Sequence, residues 1–294
     1  MSGIATGTAP AVEAAGATPQ AIDWARMAEP QDDGYDIAVT AALMDAEPMP
    51  WHAADARCDR IPLGTHPRIA EGRVAVGFDG PPLMPLPRFE PVPGVPATLT
   101  EAVARIGCWP AMAAQWPRIV HRVEPYDDMT RPALGSCSHN QATRFGVIGL
   151  TTGCPLGVAQ AIVHEASHHK LRALGVDNEA AVRIVRNDPE ARFFSPVVGT
   201  LRPMTAVLHA HYAFLHVLTL DLKMFAAFGE RRGELATLIA RNAPRLAATA
   251  RTIADAMATD AAGEAFIGAM LTWTRRVLAE ADALLAVPPG HRTG

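Results

Sequence analysis

The sequence predicts a mainly α fold, a helical domain with a small β element, and three observations carry that expectation. Apolar residues recur at helical spacing over long stretches of the second half, near 155–174, 204–228, 234–258 and 261–286. Strand-like alternation is confined to short runs at 73–78, 118–123 and 144–150. The stretch from Glu47 to Pro96 is broken by prolines, which forbid long regular elements. A jelly roll of about eight strands finds no room in this pattern. The chain therefore divides into a disordered tail (1–20), an irregular Pro-rich N-terminal segment (21–96) and a helical domain (97–294).

Taken in order, 21–46 holds short helix-compatible runs, and Asp79-Gly80-Pro81 turns the chain after the first strand. Thr98 or Thr100 caps a helix reaching about Gln115, which Trp116-Pro117 stops. Pro155 opens the next helix and Gly175 ends it, because Pro suits a first helical turn and Gly the residue beyond the last. The segment from Phe193 to Pro203 is irregular, with Phe193 and Phe194 expected in the core. A long apolar helix follows from Met204 to about Phe228, and two amphipathic helices joined near Asp260 close the chain as a hairpin.

Composition narrows the classes. The chain has 294 residues, 49% of them hydrophobic, enough for a sizeable core. Net charge is −4, and Lys170 and Lys223 are the only lysines, so no basic stripe marks a nucleic-acid or anionic-membrane partner. Cys58, Cys108, Cys137 and Cys154 are far apart, with no C-x-x-C pair, which points to a reducing, cytoplasmic setting. The N-terminal stretch lacks the basic and apolar regions of a signal peptide. The most apolar run, 204–220, carries His209, His211 and His216, which reads as a buried core helix rather than a membrane span.

The chemistry sits in His164-Glu165-Ala166-Ser167-His168, an H-E-x-x-H segment in mid-helix. A helix advances about 100° per residue, so residues four apart are only about 40° apart around the axis and their imidazoles can share an ion. His169 and Glu165 each point about 100° away, and His169 is read as a cap, surface or supporting residue. The helical domain is thus the metal-binding, catalytic one. Its third ligand comes from elsewhere. Glu179 follows His168 too closely for a returning helix and is read as solvent-facing. His209 and His211 lie about 200° apart around their helix, so at most one faces the site. His216 is read as a core histidine with a hydrogen-bond partner.

The ordered run of His164-Glu165-Ala166-Ser167-His168, Phe194-Ser195-Pro196, Arg202-Pro203, Val207-Leu208-His209 and Ala213-Phe214 resembles the 2-oxoglutarate-dependent HExxH-type peptide β-hydroxylases of peptide natural-product gene clusters. It covers about 144–228, extends more loosely on either side, and departs from the pattern at Ala210 and at Val197-Val198. The resemblance implies Fe(II) held by His164, His168 and His209, with Glu165 orienting a ligand or holding a water. It implies 2-oxoglutarate as cosubstrate with O2, oxidative decarboxylation to succinate, and hydroxylation of a β-carbon in a ribosomally made precursor peptide. Three protein ligands leave three positions for cosubstrate and dioxygen. The far carboxylate of 2-oxoglutarate needs a planar bidentate cation, and Arg202 is the candidate, with Arg144 and Ser138 of the polar loop 136–140 as further pocket residues. The competing reading is a zinc metallopeptidase in which Glu165 is the general base on a zinc-bound water.

Overall fold

The H-E-x-x-H helix is the axis of the molecule. A computed structural model describes residues 22–46, 49, 66–130 and 136–286, and among them seven α-helices and eight short strands give a mainly α fold. The expected tail at 1–20 and Cys58 lie outside the described residues. Helices α1 (Tyr35–Ala46), α2 (Ala97–Ile106), α3 (Pro110–Ile119), α4 (Pro155–Ala173), α5 (Met204–Ala227), α6 (Arg232–Ala256) and α7 (Ala261–Ala286) surround a small mixed sheet. Its strands are β1 (Arg68–Ile69), β2 (Val74–Val76), β3 (Phe89–Pro91), β4 (Arg122–Asp128), β5 (Ser138–Asn140) and β6 (Val147–Thr151). Strands β7 (Phe193–Ser195) and β8 (Thr200–Arg202) form a separate hairpin.

The main sheet runs in the order β1-β2-β4-β6-β5, with β3 added to the far end of β4. Strands β2, β4 and β6 are parallel; α2 and α3 lie in the crossover from β2 to β4, and β5 lies in the connection from β4 to β6. Successive residues face opposite sides. Val123, Ile148 and Leu150 enter the main core with Ile162 and Val163 of α4, while Tyr126 joins Met84 and Phe89 in a smaller cluster on the other face. Gly149 lies on that second face, where a Cβ would stand 3.1 Å from both Met84 and Tyr126. Edge strand β5 pairs Ser138 with Leu150 and Asn140 with Ile148, so Ser138 and Asn140 share the face turned to α4.

The N-terminal segment is built into this core. Met27, Leu43, Val74 and Val76 pack in one cluster with residues of α2 to α7. Asp36 of α1 is fully buried and holds the equally buried Lys170 of α4, while accepting from Gln115 of α3 and from the backbone N–H of Gln31 at 3.0 Å. Burial pulls the Lys170 ammonium below its ordinary range, and the carboxylate works against that.

Several expected boundaries move. One helix at 98–115 is two, because Gly107 and Cys108 break it and Pro110 opens a second. Pro117 does not stop α3, which continues to Ile119; a proline in a last turn sacrifices one backbone bond only. Strand β4 begins at Arg122 and runs through the charged stretch to Asp128, because Arg122, buried Glu124 and Asp128 all find partners. The irregular stretch before α5 is the β7–β8 hairpin, and its Phe194 is 53% exposed, against the core position expected of it. Helix α5 is buried along most of its length, and no single helix among the described residues is long and apolar enough to cross a membrane.

Candidate metal centre

Helix α4 presents His164 and His168 one turn apart, and α5 crosses it so that His209 meets the other side of the His168 ring. His168 is the middle member: its Nε2 lies 3.0 Å from Nε2 of His164, and its Nδ1 lies 2.9 Å from Nδ1 of His209. His209 is 1% exposed, whereas His164 and His168 are half-buried, with Phe214 of α5 edge-on to His164 at 5.7 Å between ring centroids. The cluster therefore opens on the side of the two motif histidines.

The tautomers follow from one acceptor. The far nitrogen of His209, Nε2, lies 2.9 Å from the Val176 carbonyl, which only accepts. Nε2 thus carries the proton and Nδ1 the lone pair. Nδ1 of His168 donates to that lone pair, which leaves Nε2 of His168 to accept from His164. Burial pushes all three below the ordinary histidine range, His168 well below it and His209 to about 3, with the Arg172 guanidinium adding to the burial in the last two. They are neutral, the form that binds metal.

The position of Val176 is itself set by sequence. Gly175 takes φ +98° past the end of α4, its N–H bonds the Arg172 carbonyl at 3.0 Å, and the Val176 N–H bonds the Leu171 carbonyl at 3.0 Å. That is a Schellman cap, available cheaply only to glycine at this φ. The helix stop expected at Gly175 is also what aims the Val176 carbonyl at His209.

Among the described residues no three His, Cys, Asp or Glu side chains are gathered so as to hold a metal ion. The reason lies at His168, which turns one nitrogen to each neighbour, so the three rings stand in a file. The donor chemistry nonetheless fits a divalent transition metal. Three neutral imidazoles touch in succession, His164 to His168 to His209, and the distal one has its far N–H on a backbone carbonyl, the arrangement that typically orients a ligating histidine. Two imidazole nitrogens about 2.1 Å from one ion at a right angle stand about 3 Å apart, as Nε2 of His164 and His168 do.

Glu165 is 2% exposed and turned to the sheet, where Asn140 Nδ2 donates to its Oε2. Asn140 Oδ1 accepts from Nη1 of Arg172, whose Nε donates to Asp177 Oδ1 at 2.6 Å. Arg172 lies four residues beyond His168 on the same face of α4, and its four-residue step is the signal that finds it; Asn140 has no such signal, since its contact depends on sheet register. Ser138 lies two residues before Asn140 on β5, half-buried. Arg144 is not brought to the histidines. It pairs with Glu124 and donates to the Pro81 carbonyl at 2.9 Å, fastening 79–84 to the sheet.

Arg202 ends β8 just before Pro203 caps α5, partly exposed, and its guanidinium has no hydrogen-bond or ion-pair partner among the described residues. Its charge helps lower His209, and it lines a cavity of about 310 Å³ with Asn178, Glu179, Arg192 and Ala206. The three histidines do not line that cavity. Glu179 is exposed, His169 is buried against the start of β6 with Gly146 N–H donating to its Nδ1 at 3.3 Å, and His216 is buried with Nδ1 donating to the Tyr212 carbonyl at 2.8 Å.

No known family model matches the chain, and a search of curated proteins finds no match either.

Proposed function

We propose that this chain is an Fe(II)- and 2-oxoglutarate-dependent oxygenase that hydroxylates a β-carbon in a ribosomally made precursor peptide. The observation that carries the reading is the file of three neutral imidazoles, His164 and His168 from the H-E-x-x-H turn and buried His209 from α5, with the Arg202 charge near enough to lower His209. His164, His168 and His209 would hold the metal. Bound iron and 2-oxoglutarate supply the oxidising chemistry: the cosubstrate loses carbon dioxide to give succinate as dioxygen is consumed and a hydroxyl group is placed on the substrate.

The chain's own residues bind and orient. Three neutral ligands leave the ion's charge uncompensated, which favours a dianionic cosubstrate. Arg202, whose guanidinium is unpaired among the described residues and partly exposed, would offer a planar fork to its far carboxylate. Phe214 walls the open side against His164. Glu165 serves as a fixed support, since its carboxylate is buried on Asn140. That disposition is unlike a general base, which must reach a metal-bound water.

The test is turnover with the iron-loaded protein. The reading predicts oxygen-dependent conversion of 2-oxoglutarate to succinate, and a rise of at least tenfold in the 2-oxoglutarate Kd in Arg202→Ala that Lys restores only in part. Zinc-loaded protein that cleaves casein, with loss of cleavage in Glu165→Gln and no succinate from the iron form, would establish a peptidase instead.

A further inference from the structure

Arg172 is 2% exposed, and such a guanidinium persists in an interior only when it is paired. Its partners belong to two different parts of the histidine site. Nη1 donates to Oδ1 of Asn140, the residue whose amide donates to Glu165 in the motif turn. Nε donates to Asp177 at 2.6 Å, the residue next to Val176, whose carbonyl fixes the His209 tautomer. The Asn140 amide is oriented by its neighbours: a carboxylate accepts only and a guanidinium donates only, so Nδ2 faces Glu165 and Oδ1 faces Arg172. Two carboxylates and one cation close a chain from β5 through α4 to the loop behind α5.

We propose that Arg172 is a positioning residue that locks the motif turn to the loop holding His209, so that one side chain keeps the three imidazoles of the file in register. The proposal rests on the reading of His164, His168 and His209 as the working site, and gives the next residue on their helical face its task. Lysine cannot replace the fork, because a point charge does not hold Asn140 and Asp177 in fixed directions together.

The experiment titrates the metal-free full chain with Co(II) alone, following its visible ligand-field spectrum, for the parent, His209→Ala, Arg172→Gln, Arg172→Lys and Asp177→Asn. Imidazole 15N shifts of His209 are recorded without metal. Arg172→Gln should weaken Co(II) binding by about 10- to 100-fold, change the spectrum of the bound ion and disturb the Nε2–H signature of His209, with Arg172→Lys recovering only part. Asp177→Asn, which leaves the guanidinium in place, should weaken Co(II) at least threefold and add little when combined with Arg172→Gln. A cooperatively folded Arg172→Gln with parent affinity, spectrum and His209 shifts overturns the proposal; if that variant does not fold, an unchanged Asp177→Asn overturns it. If His209→Ala leaves Co(II) binding unaltered, the histidine-site reading fails, and the metal-free 15N shifts alone decide for or against Arg172.

Discussion

Gly175 shows how much a single residue decides. Its φ of +98° is open to glycine, and a Cβ there would stand 2.9 Å from Cγ of Arg183 and 3.1 Å from Val182. Gly175→Ala should therefore destabilise the protein by about 1–2 kcal/mol and weaken metal binding as well, because the same cap aims the Val176 carbonyl at His209. Thermal melts and a metal titration check both, and a variant with parent stability would contradict the strain argument. The stop at Gly175 and the shared face of His164 and His168 are legible in the sequence because both are local rules, one of φ and one of spacing. Arg172 obeys the same spacing and was there to be read. Asn140 and Asp177 were not, since what they hold depends on which strand edge and which loop come to lie beside α4.

At the scale of elements, the buried Asp36–Lys170 pair fastens α1 to the back of the H-E-x-x-H helix. A buried pair broken on one side leaves an uncompensated charge, so Asp36→Ala should cost about 3–5 kcal/mol, whereas Asp36→Leu with Lys170→Met should recover most of that loss. Urea denaturation of the single and double variants measures it; additive losses would show that the two residues do not act as a pair. The long helices were legible from their apolar period, and their ends fall within a few residues of the expected ones. The β7–β8 hairpin was not, because each of its strands is only three residues long and its Phe194 faces outward. The extent of β4 was hidden by its charged residues, which tertiary partners make acceptable: Glu124 is fully buried with Arg144 and the Tyr126 hydroxyl upon it. A charge pattern without its partners reads as loop.

Across the whole molecule, the core holds neutral histidines away from the three-histidine file. Burial pushes His211 and His216 to about 3, and burial with the Arg122 and Arg144 charges pushes His121 to about 4. Each is protonated more readily in the unfolded chain than in the folded one. Stability should be unaffected by these groups above about pH 6.5 and fall as pH drops from there toward 3 to 4, by up to roughly 1.4 kcal/mol per pH unit for each histidine. Asp221, raised to about 7 by burial, acts with opposite sign between its unfolded value and 7, and softens the fall by one group. Melting temperatures from pH 7.5 to 4.5 test this, and a flat profile would contradict the neutral core. The mainly α architecture, with the H-E-x-x-H helix between a small sheet and α5, was legible as a class. The integration of 22–46 and 66–96 into its core was not, because prolines conceal packing as effectively as they interrupt helices. The most direct test of the central claim is anaerobic addition of Fe(II), then 2-oxoglutarate, to the metal-free protein, watched in the visible range. The account predicts the charge-transfer band of a chelated 2-oxo acid, absent in His209→Ala; no band in the parent protein, with tight Zn(II) binding and peptide hydrolysis dependent on Glu165, would contradict it.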